Sequence, residues 1–186
     1  MVPVMALWMP ILVAAVFVFV LSSVIHMVLP YHKSDFSGVP NEDHVREGLR
    51  AAALPPGDYV IPYATSMEQM KQPDFVAKYN EGPVAFMTVL PNQAPAMGKS
   101  LILWFLYSVL VGIFAAYVAG RALGPDAHYL SVFRFVGVTA FLGYGLAHIQ
   151  ASVWYYRSWS TTAKNLFDAL LYAFLTAGAF GWLWPA

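Results

Sequence analysis

Long apolar runs and one long polar segment divide this chain. The first apolar run extends from Val4 to Leu29 and contains no Asp, Glu, Lys or Arg, and its only titratable side chain is His26. About twenty consecutive apolar residues cross the hydrocarbon core of a bilayer. A signal peptide would have a basic start and a shorter apolar core. The pattern therefore predicts a first transmembrane helix within residues 1–29.

Three further apolar runs follow the polar segment, within residues 100–186. They extend from Ser100 to Ala119, from about Ser131 to Val153, and from about Asn165 to Trp184. Each is long enough to cross a bilayer. We therefore expect a mainly α-helical, multi-pass membrane protein with four transmembrane helices, the last three of which form one region.

The polar segment, residues 30–99, is predicted to be a small α+β extramembrane cap between the first two transmembrane helices. Asn41 is a candidate N-cap for a helix that ends near Ala53. The runs Tyr59–Tyr63 and Val84–Leu90 read as short strands, and Ser66 is placed to cap a short helix. About seventy residues can barely bury a core of their own, so we expect the cap to rest on other surfaces.

Both chain termini are expected on one side of the membrane and the polar segment on the other, because four spans return the chain to its starting side. The short loops do not decide which side is cytoplasmic. They carry Arg121 and Arg134 at one end of the bundle, and Arg157 and Lys164 at the other. The positive-inside rule counts such residues, and the count is a tie.

The composition supports a membrane protein and excludes several kinds of partner and site. Of the 186 residues, 59% are hydrophobic and 11% are charged, whereas soluble domains are about 25% charged. Ten basic residues balance ten acidic ones, so nothing favours a nucleic acid partner. The chain has no cysteine, which excludes disulfides, thiolate zinc sites, iron–sulfur clusters and a c-type haem attachment.

Two helices carry small residues at every fourth position, a spacing that lets helix backbones approach closely in lipid. We predict that these faces pack against each other or against a partner subunit. The eight positions are Ser108, Gly112, Ala116 and Gly120 in the second span, and Ala169, Ala173, Ala177 and Gly181 in the fourth.

His26 and His148 are the pair of polar residues in the spans that most suggests a cofactor site. Each lies about one turn inside the end of its helix that faces the polar segment. Two histidines at one depth are suited to clamp a haem, or each to ligate a chlorophyll-type magnesium. The alternative is that they form hydrogen bonds with nearby backbone or with Asp168, and we expect any chemistry at this face of the membrane.

A second cluster, just after the first span, has the ligand types of a metal site. His32, Asp35 and His44 are the candidate ligands, with Glu42 and Asp43 beside them. Imidazole and carboxylate ligands suit transition metals. The spacing matches no specific metal motif, and acidic residues also collect at helix N-termini.

No catalytic signature is present, so the chain is expected not to be an enzyme. Gly98-Lys99-Ser100 looks like the end of a P-loop, but the first glycine of that motif would fall at Gln93. No charge lies near the middle of a span, where a transport pathway would have one.

Three short runs resemble sequences of known membrane proteins: MVLPYHKSDF at 27–36, LPPGDY at 54–59 and EGPV at 81–84. With its layout of one span, a polar cap and three spans, the chain resembles a family of uncharacterised bacterial membrane proteins. The resemblance extends to an accessory subunit of a photosynthetic reaction-centre–antenna complex. It implies the bacterial inner membrane as location, and bacteriochlorophyll, carotenoid or lipid of partner subunits as contacts. It carries over no site residues.

The function expected from the sequence is that of a non-catalytic accessory or structural subunit, most specifically a scaffold in a reaction-centre–light-harvesting assembly. Other integral membrane subunits and lipids would be its partners, and no intrinsic cofactor is expected. Two alternatives remain: a small haem-binding redox protein that uses His26 and His148, and a metal-dependent membrane enzyme that uses the His32 cluster.

Overall fold

The computed structural model describes residues 1–185, and it is mostly helical with one small sheet. It divides into two compact units: a helical unit, formed by Met1–Phe36 and the chain from Ala96 onward, and an outer unit, Ser37–Pro95. In chain order the elements are α1 (Trp8–Met27), α2 (Glu42–Ala51), β1 (Gly57–Ile61), α3 (Met67–Met70), α4 (Pro73–Glu81), β2 (Ala85–Val89), α5 (Gly98–Ala122), α6 (Tyr129–Tyr144), α7 (Ala147–Tyr155) and α8 (Trp159–Trp182).

Three segments of the helical unit are long and apolar enough to cross a membrane: Val4–Met27, Gly98–Ala122 and Tyr129–Tyr155. The first joins a short 3-10 turn to α1, the second is α5, and the third combines α6 and α7. α8 has 24 residues but is less apolar and does not belong to this group. Three of the four predicted spans are therefore found.

The third of these segments is interrupted between α6 and α7, at Gly145 and Leu146; we refer to this interruption as the bend. A Cβ atom on Gly145 would lie 3.1 Å from Cβ of Ala169 and 3.0 Å from the carbonyl oxygen of Phe141. Glycine thus lets α8 approach the bend closely. The hydroxyl of Tyr107 donates a hydrogen bond to the carbonyl oxygen of Gly143, and such a side-chain contact with backbone is a known cause of helix kinks.

α8 begins at Trp159, two turns earlier than the apolar pattern predicts. Its first turns contain polar residues that are nonetheless buried: Thr161 and Thr162 are 3% and 2% exposed. The hydroxyls of Ser152 and Thr162 lie 2.5 Å apart, so the packing of α7 against α8 gives each of these two hydroxyls a hydrogen-bond partner. As a result Asp168 lies well inside the helix rather than in its first turn.

The small residues of α5 face α1. A Cβ atom on Gly112 would lie 3.2 Å from Cγ2 of Ile11, and one on Gly120 would lie 2.3 Å from the carbonyl oxygen of Val2. The backbone N–H of Val2 donates to the carbonyl of Gly120 at 2.8 Å. Ser108 and Ala116, the other members of this stripe, are buried.

The small residues of α8 contact the bend and the helix α6. Ala169 lies beside the bend, as described above, and Cβ of Ala177 lies 3.4 Å from the position of a Cβ on Gly137. A Cβ on Gly181 would fall 2.5 Å from the ring of Tyr129. α8 packs against α1 and α6, and α1 packs against α5. Both predicted stripes thus lie against helices of the same chain.

The outer unit holds a two-stranded antiparallel sheet, in which Gly57 pairs with Val89 and Ile61 with Ala85. Both strands start and end within two residues of the predicted runs. Ser66 caps α3 by accepting a hydrogen bond from the backbone N–H of Gln69. Asn41 occupies the N-cap position of α2, but its backbone is left-handed and its side chain makes no capping hydrogen bond.

Candidate functional site

His32 is the centre of a polar network between the end of α1 and the first half of α8. It lies on a short 3-10 turn, Tyr31–Ser34, that follows α1. Its Nδ1 is 2.6 Å from Oδ2 of Asp35, and its Nε2 is 2.8 Å from Oδ2 of Asp168. A carboxylate beside each ring nitrogen favours the doubly protonated ring, in which both nitrogens donate. Burial lowers the pKa of His32, but the hydrogen bonds to Asp35 and Asp168 outweigh it, so the pKa lies above its usual value.

Asp35 connects this network to Lys164 of α8. The Lys164 ammonium donates to Oδ1 of Asp35 at 2.8 Å and to Oγ of Ser34 at the same distance. Thr161 adds a long hydrogen bond to Asp35, 3.4 Å. The hydrogen bonds from Lys164 and His32 lower the pKa of Asp35 to about 2, so this carboxylate is ionised at neutral pH.

Asp168 is the most deeply buried charge in the described part of the chain, at 3% exposed. Its Oδ2 contacts His32, and its Oδ1 accepts a hydrogen bond from the hydroxyl of Tyr31. Burial and this bond raise the pKa of Tyr31 above its usual range, so Tyr31 remains a donor. A buried carboxylate needs partners of this kind, because removing it from water costs several kcal/mol, as an order of magnitude.

With His32 protonated at both ring nitrogens, the network balances its charges locally: Asp35 and Asp168 are negative, and Lys164 and His32 are positive. Such compensation keeps buried ionised groups tolerable. It also fastens the segment that leaves α1 onto α8, so the network has a structural role whatever else it does.

His26 stands beside this network without being bonded into it. Its ring centroid is 4.5 Å from that of His32, and it makes no hydrogen bond within the described residues. One ligand-type atom from each of His26, His32 and Asp168 lies within 4.8 Å of the others. These three side chains therefore form a compact group of two imidazoles and one carboxylate.

A cavity of about 350 Å³ opens next to this group. Its walls include His26 and Asp168 on one side, and His148 and Asn165 nearby. Nδ1 of His148 lies 3.3 Å from Nδ2 of Asn165. Aromatic rings form much of the remaining wall: Trp104, Tyr107, Tyr144 and Tyr172.

The structure brings together some of the predicted site residues and separates others. His26 and His148 line the same cavity, and His32 and Asp35 are hydrogen-bonded to each other. His44 lies on α2 of the outer unit and is exposed. It was predicted as a ligand because its residue type suits a metal and because it is close to His32 in the sequence.

Tyr31 and Lys164 were not predicted as site residues, and Asp168 was not predicted as a ligand. The sequence contains only a weak indication that these residues belong to one site: Lys164 and Asp168 are four residues apart and share one face of a helix. Tyr31, His32 and Asp35 follow the first span within a few residues. Nothing in the sequence shows that these two groups meet.

No protein-family model matches this chain, and neither the curated proteins nor the solved structures compared with it give a match. The function of the site must therefore be argued from its own residues.

Proposed function

We propose that this protein is an accessory subunit of a larger membrane complex, held in the bilayer by four spans and docked to a partner through its outer unit. The observation that carries the proposal is the outer unit itself. No residue between Ser37 and Pro95 is buried, although the unit contains helices and a paired sheet. A folded segment of this size normally buries about 60% of its surface, so it lacks a core that a partner would supply.

Helix α2 provides the clearest docking face. Val45 and Leu49 are four residues apart on one side of this helix, and each is 40% exposed. The opposite side carries Glu47 and Arg50. An amphipathic helix with an uncovered apolar stripe is a common recognition element for a protein groove.

Replacing Val45 and Leu49 together with aspartate is therefore expected to abolish co-purification of partner subunits under mild detergent. The membrane spans should still fold, because neither side chain is buried. The matched control replaces Glu47 and Arg50 with alanine on the polar side of α2, and should leave the complex intact. Mass spectrometry identifies the proteins that co-purify with each variant, and the two sets of proteins are compared. A chain that purifies alone and monodisperse without either change contradicts the proposal.

The identity of the co-purifying subunits tests the narrower form of the proposal. The resemblance noted above implies a photosynthetic reaction-centre–antenna complex, with bacteriochlorophyll and carotenoid held by partners. An absorption spectrum of the same preparation detects those pigments. The same spectrum detects haem, the alternative cofactor. His26 and His148 are its candidate ligands, and the cavity that they share favours this alternative. Loss of a Soret band in His148→Ala would identify bound haem.

We further propose that α8 is the fourth span. It has 24 residues, long enough to cross a bilayer, and it packs along α1 and α6. Its low hydropathy comes from polar side chains such as Thr162, Asp168 and Thr176, which are buried inside the bundle. Polar groups that face a bundle interior are compatible with a membrane location.

Cysteine labelling tests the fourth span directly, because the natural chain has no cysteine. Single cysteines at Gly124 and Ser160 are expected to react with a membrane-impermeant maleimide from opposite sides of sealed vesicles. Cysteines at Gly124 and Trp184 should react from the same side. Labelling of Ser160 and Trp184 from the same side would show that α8 does not cross.

A further inference from the structure

We propose that His26, His32 and Asp168 bind one divalent transition-metal ion, with zinc as the first choice. The proposal is independent of the accessory role, because it rests on the helical unit alone.

The ligand atoms follow from which atoms already have other partners. Nδ1 of His32 is engaged with Asp35, which leaves Nε2 as the ligand atom. Oδ1 of Asp168 accepts from Tyr31, which leaves Oδ2. These two atoms now face each other at 2.8 Å. His26 adds a ring nitrogen, and one ligand atom from each of the three residues lies within 4.8 Å of the others.

Only a small adjustment separates this arrangement from a coordination sphere. Nitrogen and oxygen ligands bind zinc at about 2.0–2.2 Å, which puts neighbouring ligand atoms of a tetrahedron about 3.4 Å apart. The atoms of His32 and Asp168 would separate by about half an ångström, as the metal replaces the proton between them and that proton passes to solvent. The ligand atom of His26, which lies within 4.8 Å of the other two, would move closer to them.

The groups behind the ligands are arranged as in protein metal sites. A metal-binding histidine typically donates its other ring N–H to a carboxylate, and ligating carboxylates are themselves hydrogen-bonded. Asp35 accepts a hydrogen bond from Nδ1–H of His32, and the Tyr31 hydroxyl donates to Asp168. Lys164 in turn holds Asp35 in place. Here the supporting contacts are already formed.

His26 gives the strongest reason to go beyond a purely structural network. The hydrogen bonds that join His32, Asp35, Asp168 and Lys164 do not include it. His26 is exposed, but its ring lies against that of His32 and, within the described residues, has no hydrogen-bond partner. Two imidazoles side by side next to a buried carboxylate repel each other as cations, but they suit a shared metal ion.

The chemistry of the chain narrows the choice of metal. With no cysteine, any transition metal must be held by imidazole and carboxylate groups. Two imidazoles and one carboxylate form a set used by zinc and by other divalent first-row metals. Magnesium and calcium prefer oxygen ligands, so they are not expected here.

Three protein ligands leave one position for water or for a molecule from the cavity. His26 and Asp168 both line that cavity. The hydroxyl of Tyr172, one turn after Asp168 on α8, also belongs to the cavity wall; it is buried and has no hydrogen-bond partner. A buried hydroxyl without a partner is costly, and a metal-bound water is a suitable acceptor or donor for it.

Zinc titration of the full-length protein tests the proposal. The protein, purified with a histidine-free tag and stripped with EDTA, is titrated with Zn²⁺ in a calorimeter, and Co²⁺ is used as a spectroscopic substitute. We expect one ion per chain and a higher melting temperature. His26→Ala and His26→Gln are expected to remove tight binding and the visible Co²⁺ bands. Because His26 makes no hydrogen bond, both metal-free variants should melt close to the natural protein.

Two further variants sharpen the result. Asp35→Asn, behind His32, is expected to weaken binding about 10- to 100-fold while retaining one site. His44→Ala, on the exposed α2 helix, should bind as the natural protein does. The proposal is overturned if the natural protein shows no saturable one-to-one binding, or if binding persists unchanged in both His26 variants. Binding lost in His44→Ala would place the metal elsewhere.

Discussion

Replacing Asp168 with alanine is expected to lower the free energy of unfolding by about 3 kcal/mol, the cost typical of breaking a buried ion pair. The change leaves the Tyr31 hydroxyl without its acceptor and His32 with one carboxylate instead of two. The measurement is equilibrium unfolding in mixed micelles, with EDTA present so that no metal contributes.

The same variant should release the segment that leaves α1. Lys33 lies on the 3-10 turn held by Tyr31 and His32, so trypsin is expected to cleave after Lys33 faster in Asp168→Ala than in the natural protein. The control is Asp43→Ala, where the carboxylate is exposed and its distance to Arg46 is 3.8 Å. Surface pairs of this kind contribute about 0–1 kcal/mol. Equal stabilities of the two variants would show that Asp168 does not hold the segment.

Replacing Gly120 with alanine is expected to cost about 2 kcal/mol, although alanine is the better helix former. The new Cβ would lie 2.3 Å from the carbonyl oxygen of Val2, closer than atoms can approach. The obstacle is backbone, which cannot rotate away. The N-terminal segment must therefore move and give up the hydrogen bond from Val2 to Gly120.

Gly178→Ala is the matched control for this substitution. It is the same change within a helix of the same unit, but its Cβ would be 3.9 Å from the nearest atom, the Tyr129 hydroxyl. We expect its stability to equal or slightly exceed that of the natural protein. Unfolding of both variants under one detergent condition compares them. A Gly120→Ala protein as stable as Gly178→Ala would mean that the N-terminal segment does not pack there.

The two small-residue stripes illustrate what a periodic pattern can and cannot predict. Spacing at every fourth residue puts Gly112 and Gly120 on one face of α5, and that face is indeed covered. The spacing contains no information about the covering surface. We predicted the fourth span or a partner subunit, whereas α1 and the chain before it cover α5, and α6 contacts the stripe of α8.

The sequence by itself determined the parts of this protein that depend on composition. Three apolar runs of about twenty residues or more must leave water, and so their helices were predicted with little error. Short strands and the Ser66 cap follow from local preferences in the same way. The predicted start of α8 lies too far along the chain because the first turns of this helix are polar. The burial of those turns depends on contacts such as that between Ser152 and Thr162.

Only the tertiary structure decided which polar residues meet. Asp168 is more than 130 residues away from Tyr31 and His32 in the chain, and no local rule connects them. A buried charge must find partners wherever the fold brings them, because leaving it unpaired costs several kcal/mol. The packing of α8 against α1 supplies those partners, and it also sets His26 beside them, which is how a histidine in an apolar run becomes a candidate metal ligand.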